Sequence, residues 1–198
     1  MSTEVQQACV ELWQVMSTTF NTTVVKKSDS FQMQTVGWFL NTMGILDKER
    51  FLQRYTTTIY KSIYIPFEIG QGTDAECWSQ MRTCVHEHQH VVQAKREGFP
   101  VFAGKYLFDG DQRAKFEAEA KACGQELQYW RYGQLEKPEL VCASLADYNL
   151  NSAQIAFAAR VLSSYQKTIK ANGTITKAGK VALSFLKNNH PHLCERRG

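Results

Sequence analysis

The stretch that organises this chain runs from Thr73 to Gly98 and reads TDAECWSQMRTCVHEHQHVVQAKREG. It predicts one uninterrupted helix, because Thr73 and Glu76 form the pattern of a capping box and Gly98 is typical of a helix end. No glycine or proline interrupts the run, and Pro100 follows the stop. At about 100° per residue, one broad apolar face forms and is expected to enter the core. Its members are Cys77, Trp78, Met81, Cys84, Val85, Val91 and Val92.

The opposite face of this helix carries His86 and His90, and Glu87 lies beside the first histidine. Residues four apart project from the same side of a helix, so the two imidazoles can bind one metal ion. Zn²⁺ binds imidazole nitrogen at about 2.0–2.1 Å, and an adjacent glutamate can take a proton from the water it activates. His88 falls within the apolar face and is expected to be structural. The pattern therefore predicts His86 and His90 as metal ligands and Glu87 as catalytic base; the alternative is a chance histidine pair.

The third metal ligand is expected on a second helix, predicted from Asp111 to Tyr132. A turn signal, Asp109-Gly110, precedes it, and apolar residues recur through it at helical spacing. Two acids compete for the role, Glu117 and Glu119. Because they are two positions apart, they point to nearly opposite sides of the helix.

Small residues around Glu117 favour it as the ligand, because they would let the metal-bearing helix approach closely. They are Ala114, Ala120 and Gly124. Glu119 follows Lys115 by four positions and is expected, with Glu126, on a solvated face. The sequence thus predicts Glu117 as third ligand and keeps Glu119 as the alternative.

HEHQH followed by Glu117-Ala118-Glu119-Ala120 resembles the gluzincins, zinc metallopeptidases that use two histidines and a glutamate as ligands. The spacing is similar to that of compact members, the ImmA/IrrE-like peptidases and small phage-encoded HExxH proteins. The resemblance covers roughly residues 55 to 132. It implies an α+β, mostly helical zincin-like domain with a small sheet, a Zn²⁺ cofactor and a peptide or protein substrate. No third histidine follows in an HExxHxxGxxH extension, which excludes a metzincin.

Lys121 departs from this pattern, because many relatives carry Asp or Asn at that position to support a ligand histidine. The supporting residue therefore stays unassigned. Tyr106 and Tyr148 are candidate donors to the oxygen that gains charge during hydrolysis.

Residues 55 to 69 are rich in Thr, Ile and Tyr and predict β structure, either a hairpin turning near Lys61-Ser62 or one long strand. Pro66 favours an edge position. In zincins an edge strand upstream of the metal-bearing helix binds the substrate backbone, and this segment is expected to do so; the alternative is a core strand. Residues 101 to 108 predict a short strand or loop.

The remaining patterns are helical. An amphipathic helix is predicted over residues 4–18 and a second over 31–46, followed beyond Pro138 by helices over 140–148, 152–171 and 176–189. We expect a zincin-like core with N-terminal helices over residues 1–137 and a basic helical extension packed on it over 138–198.

The C-terminal segment is strongly basic. From Arg160 to Gly198 there are eight Lys or Arg and one Glu, a balance of +7 that leaves −3 for the rest of a chain of net charge +4. This asymmetry indicates an acidic partner, although a solvated basic face is the simpler alternative. Nucleic acid is a weaker expectation, since no arginine-rich arm with interleaved aromatic residues is present. His190 and His192 are expected to be tail residues.

Composition narrows the class of protein. No run of about 18 apolar residues exists, so no membrane span is expected, and the first residues lack the pattern of a signal peptide. The six cysteines lack CxxC spacing and several lie on predicted apolar faces, which favours reduced core residues and a cytoplasmic location. The sequence predicts a zinc metallopeptidase. The alternatives are a zincin-like binding or assembly protein with a structural zinc and an inactive regulatory module.

Overall fold

The computed structural model describes residues 2–27 and 56–195. This part of the chain is mostly helical with a small sheet, which confirms the α+β expectation. The helical pattern predicted over residues 31–46 lies outside the described residues, as do Arg196 and Arg197 of the basic segment. The helices are α1 (Glu4–Phe20), α2 (Asp74–Glu97), α3 (Phe99–Phe108), α4 (Gly110–Tyr132), α5 (Pro138–Ala143), α6 (Ser152–Asn172) and α7 (Lys177–Asn189). Short 3₁₀ turns follow α5 (Ser144–Tyr148) and α7 (Pro191–Leu193).

Three strands form the described sheet: β1 (Thr23–Lys26), β2 (Thr57–Ile59) and β3 (Ser62–Ile65), in the order β1-β3-β2. β2 and β3 are antiparallel, with Ile59 opposite Ser62, so the hairpin alternative is confirmed. The parallel pairing of β1 with β3 was not predicted. Pro66 follows β3, which is the central strand, so it does not mark an edge. It ends the strand because it has no N–H to donate to the ladder.

Helix α2 has the ends that the sequence predicts. The side chain of Thr73 accepts a hydrogen bond from the backbone N–H of Glu76, and the Glu76 carboxylate accepts one from the backbone N–H of Thr73. Gly98 ends the helix with a φ of 82°, a value that L residues rarely adopt. The predicted apolar face is buried, except that Val92 is only half-buried.

Residues 99–108 form helix α3, so the predicted strand or loop is wrong. The sharp turn at Gly98 ends α2 and begins α3 directly, and Pro100 lies in the first turn of α3, where its missing N–H costs nothing. The glycine and proline thus separate two consecutive helices instead of introducing a loop. Phe102 of α3 is buried, against Phe116 of α4.

The core has two main clusters, and α4 contributes to both. The first joins α1, α2, β3 and α7, with Cys123 and Leu127 from α4. It includes the predicted apolar face of α1, namely Val5, Cys9, Leu12, Trp13 and Met16. The second joins α5 and α6 to the other side of α4, through Ala114, Ala118 and Ala122. Because α4 is covered on two sides, few of its residues face water.

The C-terminal patterns also form helices. The first of them is shorter than predicted, since an α-helix gives way to a 3₁₀ turn at Ser144. Helix α7 packs against α1 and α2, and α6 packs along α4. The boundary proposed between residues 137 and 138 stays a prediction.

The six cysteines are unpaired, and Cys77, Cys84 and Cys123 are buried as predicted. Across residues 2–27 and 56–195, none of the helices combines the length and apolar character needed to cross a membrane.

Candidate metal centre

The structure brings together His86 and His90 of α2 and Glu117 of α4. The two histidine Nε2 atoms are 3.1 Å apart. His86 Nε2 lies 3.4 Å from Glu117 Oε2, and His90 Nε2 lies 3.4 Å from Glu117 Oε1. The three residues predicted as ligands therefore converge on one point with side-chain atoms that bind metals.

These separations are close to those between the ligand atoms of a tetrahedral zinc site, and each histidine faces a different oxygen of Glu117. Ligand atoms placed at about 2.0–2.1 Å from a tetrahedral ion are about 3.3 Å from one another. In addition, Glu117 Oε2 is buried and has no hydrogen-bond partner in the described part of the chain. An unpartnered buried carboxylate oxygen is costly, and a bound cation would satisfy it. The residues present fit one Zn²⁺ ion.

Gln93 orients the second histidine. Its Nε2 donates to the carbonyl oxygen of Phe116 at 2.9 Å, which turns its Oε1 toward His90 Nδ1, 2.8 Å away. His90 Nδ1 therefore carries a hydrogen, and Nε2 is the ring nitrogen directed at Glu117, which a metal ion could bind in place of a proton. Gln93 thus fills the supporting role that the sequence left unassigned at Lys121.

Tyr106 of α3 holds Glu117, the candidate third ligand. Its hydroxyl donates to Glu117 Oε1, and its ring packs against His90 with centroids 5.8 Å apart. Burial and the nearby Glu117 carboxylate raise the pKa of Tyr106 well above its ordinary value, so the hydroxyl stays a donor. This hydroxyl is committed to Glu117, which disfavours Tyr106 among the two candidate donors to a substrate oxygen. Helix α3, missed from the sequence, covers the metal cluster.

The charges at the cluster keep Glu117 ionised. Burial would raise the pKa of this carboxyl, but His90 and His86 outweigh that effect and hold it well below the usual range. Burial would likewise lower the pKa of His90, but the adjacent Glu117 raises it to about 9. A carboxylate that is already anionic is ready to bind a cation.

Glu87 lies beside the cluster but does not belong to it. Its side chain is buried, and its Oε2 accepts a hydrogen bond from Thr58 Oγ1 at 2.6 Å. Glu87 and His86 line the same cavity, which has a volume of about 480 Å³ and is also lined by Tyr148. Glu87 and Tyr148 therefore face the same space as His86, and they are the candidates for a base and for a donor to a substrate oxygen.

Glu119 lies away from the metal cluster, in an ion pair with α2. Arg96 donates to it from both terminal nitrogens, at 2.7 and 2.9 Å, and Gln89 donates to it at 2.9 Å. Glu119 is only 8% exposed, so its predicted solvated position is wrong. Its carboxylate connects α4 to α2 and is not a metal ligand in this geometry.

Glu126 is also buried, which corrects its predicted position on a solvated face. It accepts hydrogen bonds from the backbone N–H groups of Ile175 and Thr176, each at 2.7 Å, and from the Thr176 hydroxyl. These groups precede α7, so the carboxylate anchors the start of that helix to α4.

The sequence predicts a structural role for His88 and a position in the tail for His190 and His192, and the structure places His88 in the core. His88 is fully buried; its Nδ1 donates to the carbonyl oxygen of Cys84 at 2.7 Å, and its Nε2 accepts from the Thr22 hydroxyl. His190 bonds to Glu11 of α1 at 2.9 Å, and His192 pairs with Glu4. The tail histidines therefore contact α1.

No protein-family model matches the sequence, and neither a curated protein nor a solved structure gives a significant match. The resemblance to gluzincins stays a prediction from the HEHQH and EAEA segments.

Proposed function

We propose that this chain is a zinc-dependent metallopeptidase of the gluzincin kind, with His86, His90 and Glu117 as ligands and Glu87 as general base. The observation that carries the proposal is the convergence of His86, His90 and Glu117 next to a buried glutamate at a cavity. The two Nε2 atoms are 3.1 Å apart, and each lies 3.4 Å from a different oxygen of Glu117. A site that only held a metal would need no carboxylate at the position of Glu87.

The reaction supported by this arrangement is hydrolysis of a peptide bond. When bound, zinc supplies a Lewis acid that polarises a carbonyl group and makes water more acidic. Glu87 would accept the proton of the attacking water and pass it to the departing amine. The hydrogen bond from Thr58 to Oε2 fixes the orientation of this carboxylate. Tyr148, on the same cavity, would donate to the carbonyl oxygen as it gains charge.

A peptide substrate would lie along β2. Within residues 2–27 and 56–195, this strand pairs on one side only, with β3. Thr58 of β2 contacts Glu87 directly, and Thr56 lines the cavity just before the strand begins. A backbone added to β2 by strand pairing would therefore pass the base and the metal ligands.

The second candidate function is a binding or assembly protein with a structural metal. It is favoured by the burial of the cluster, since Glu117 is 1% and His90 7% exposed. Structural zinc sites are closed by protein ligands, whereas catalytic ones keep a position open to the substrate. His86 is half-buried and lines the cavity, which supports the catalytic alternative.

The deciding experiment measures zinc content and peptide cleavage in wild type and in Glu87→Gln. Wild type should contain about one zinc per chain and should cleave members of a broad peptide library. Glu87→Gln should keep zinc while cleavage falls by about 10²–10⁴-fold or more. Glu97→Gln, at the end of the same helix, is the matched control and should cleave like wild type. Zinc-loaded wild type that cleaves no peptide would leave the structural-metal alternative.

A further inference from the structure

The cavity beside the metal cluster has an excess of basic side chains. Arg82, Lys121 and Lys137 line it, against two acids, Glu87 and Glu136. Its volume of about 480 Å³ is enough to hold several atoms of a bound ligand in addition to water. The charge of such a cavity selects what enters it.

One of these cations is already neutralised. Arg82 forms an ion pair with Glu136, whose carboxylate also accepts a hydrogen bond from Gln125 at 2.6 Å. The backbone N–H of Glu136 donates in turn to the side chain of Gln125, at 3.0 Å. Arg82 and Glu136 are thus fixed on each other.

Lys121 has a different environment. It is half-buried on α4, and its ammonium group donates to the hydroxyl of Ser144 at 3.0 Å. No ion pair involves it in the part of the chain that the structure describes. Lys137 is exposed and lines the same cavity. Lys121 and Lys137 therefore bring two positive charges to the cavity. Of the two acids that line it, Glu136 is paired with Arg82 and Glu87 is not.

We infer that Lys121, with Lys137 beside it, forms a subsite for a carboxylate of the substrate, close to the bond that is cleaved. This inference rests on the proposed metallopeptidase function. Lys121 follows Glu117 by four residues, which is about 6 Å along a helix. That distance corresponds to about two residues of an extended peptide. The carboxylate therefore belongs to the residues next to the scissile bond, as an acidic side chain or as the C-terminus of the peptide.

The test uses zinc-loaded Glu87→Gln, which should bind peptides without cleaving them. The probes are acetyl-hexaalanine amides with one Glu at each position in turn, the same peptides with Gln, and acetyl-hexaalanine with a free C-terminus. At least one carboxylate peptide should bind roughly tenfold more tightly than its neutral counterpart, as expected for a charge-assisted hydrogen bond. If the gain in affinity comes from an internal Glu, the subsite binds an acidic side chain. If it comes from the free C-terminus, the subsite binds the end of the peptide.

Substitutions then assign the effect to Lys121. In the same background, Lys121→Met should abolish the preference, and Lys121→Glu should favour peptides with Lys in place of Glu. Lys115→Met is the matched control, because Lys115 is exposed on the same helix and does not line the cavity. It should keep the preference, and zinc content should be equal in all of these proteins. The inference would be overturned if acidic and neutral peptides bound equally well, or if neither bound. It would also be overturned if Lys115→Met lost the preference for a carboxylate as fully as Lys121→Met.

The same peptides, given to wild type, separate this inference from the proposed function. If wild type cleaved these peptides without any preference for a carboxylate, the subsite would be contradicted and the metallopeptidase function supported. If Glu87→Gln bound acidic peptides preferentially but wild type cleaved none of them, the subsite would be supported and the metallopeptidase function contradicted.

Discussion

The hydroxyl of Thr58, on strand β2, donates to the carboxylate of Glu87, on helix α2, with 2.6 Å between Oγ1 and Oε2. The bond joins the strand proposed to hold the substrate to the residue proposed to activate water. A general base works only within hydrogen-bond reach of the proton it removes. In the proposed mechanism, Thr58 therefore positions the base relative to the peptide.

Thr58→Val should reduce cleavage without releasing zinc. The valine keeps the shape and the β propensity of threonine but loses the donor, so Glu87 is no longer held. We expect kcat to fall roughly tenfold, as for the loss of one hydrogen bond to a charged group. Thr23→Val, an exposed position on β1, is the control. Unchanged kcat in Thr58→Val would show that β2 does not orient the base.

Replacing a residue of the observed cluster should release zinc, whereas replacing a histidine outside it should not. His86→Ala, His90→Ala and Glu117→Gln should each lose most of the bound zinc, because two remaining protein ligands hold it poorly. Metal analysis after dialysis gives the stoichiometry. His88→Ala, which changes a buried residue of the core, should keep zinc and unfold at lower temperature. Loss of zinc in His88→Ala but not in His86→Ala would contradict this ligand set.

Gln93→Ala should weaken zinc binding without abolishing it. The amide fixes the ring of His90 and keeps its hydrogen on Nδ1. Loss of such a supporting residue typically costs about 10–100-fold in metal affinity. Competition with a chelator of known affinity measures the change. Gln7→Ala, at an exposed position of α1, should have wild-type affinity.

Glu119→Gln should destabilise the fold and keep the metal. The substitution leaves Arg96 without its anionic partner at the contact of α4 with α2. We expect a loss of roughly 1–3 kcal/mol in the free energy of unfolding, limited by the exposure of Arg96. Denaturant unfolding together with zinc analysis checks both statements. Zinc loss equal to that in Glu117→Gln would place Glu119 in the metal site.

Lys27 should make stability depend on pH above neutrality. Burial lowers the pKa of Lys27 from 10.5 to about 8, against an opposing effect of Glu87. Between these two values the unfolded chain binds more protons than the folded one, so this lysine makes stability rise with pH from about 8 to 10.5. Relative to Lys27→Met, wild type should gain up to roughly 3 kcal/mol across that window, at about 1.4 kcal/mol per pKa unit. If the difference in the free energy of unfolding between wild type and Lys27→Met stayed the same at all pH values, the lowered pKa of Lys27 would be contradicted.

The sequence predicts structure best where that structure depends on residues close to one another along the chain. The capping box at Thr73 and the stop at Gly98 define α2 because the groups they satisfy lie within one helical turn. Helical geometry alone puts His86 and His90 on one side of α2, since their separation is four residues.

The choice between Glu117 and Glu119 was only partly justified by the sequence. Ala120 and Gly124 do line the cavity beside α2, but Ala114 packs into the second cluster, away from it. The expected surface position of Glu119 overlooked Arg96, a partner 23 residues away on another helix. A charge pattern within one helix does not show which neighbouring element will supply an opposite charge.

By itself the sequence determined the helices α1, α2 and α4 and the pair of histidines on α2, because capping and periodicity are local properties. Only the tertiary structure decided that Glu117 meets His86 and His90, that Tyr106 and Gln93 hold Glu117 and His90, and that Thr58 reaches Glu87. These contacts depend on how α3 and α4 are placed and rotated against α2, and on the parallel pairing of β1 with β3. Burial of apolar side chains from distant parts of the chain sets those placements, and no short stretch of sequence contains them.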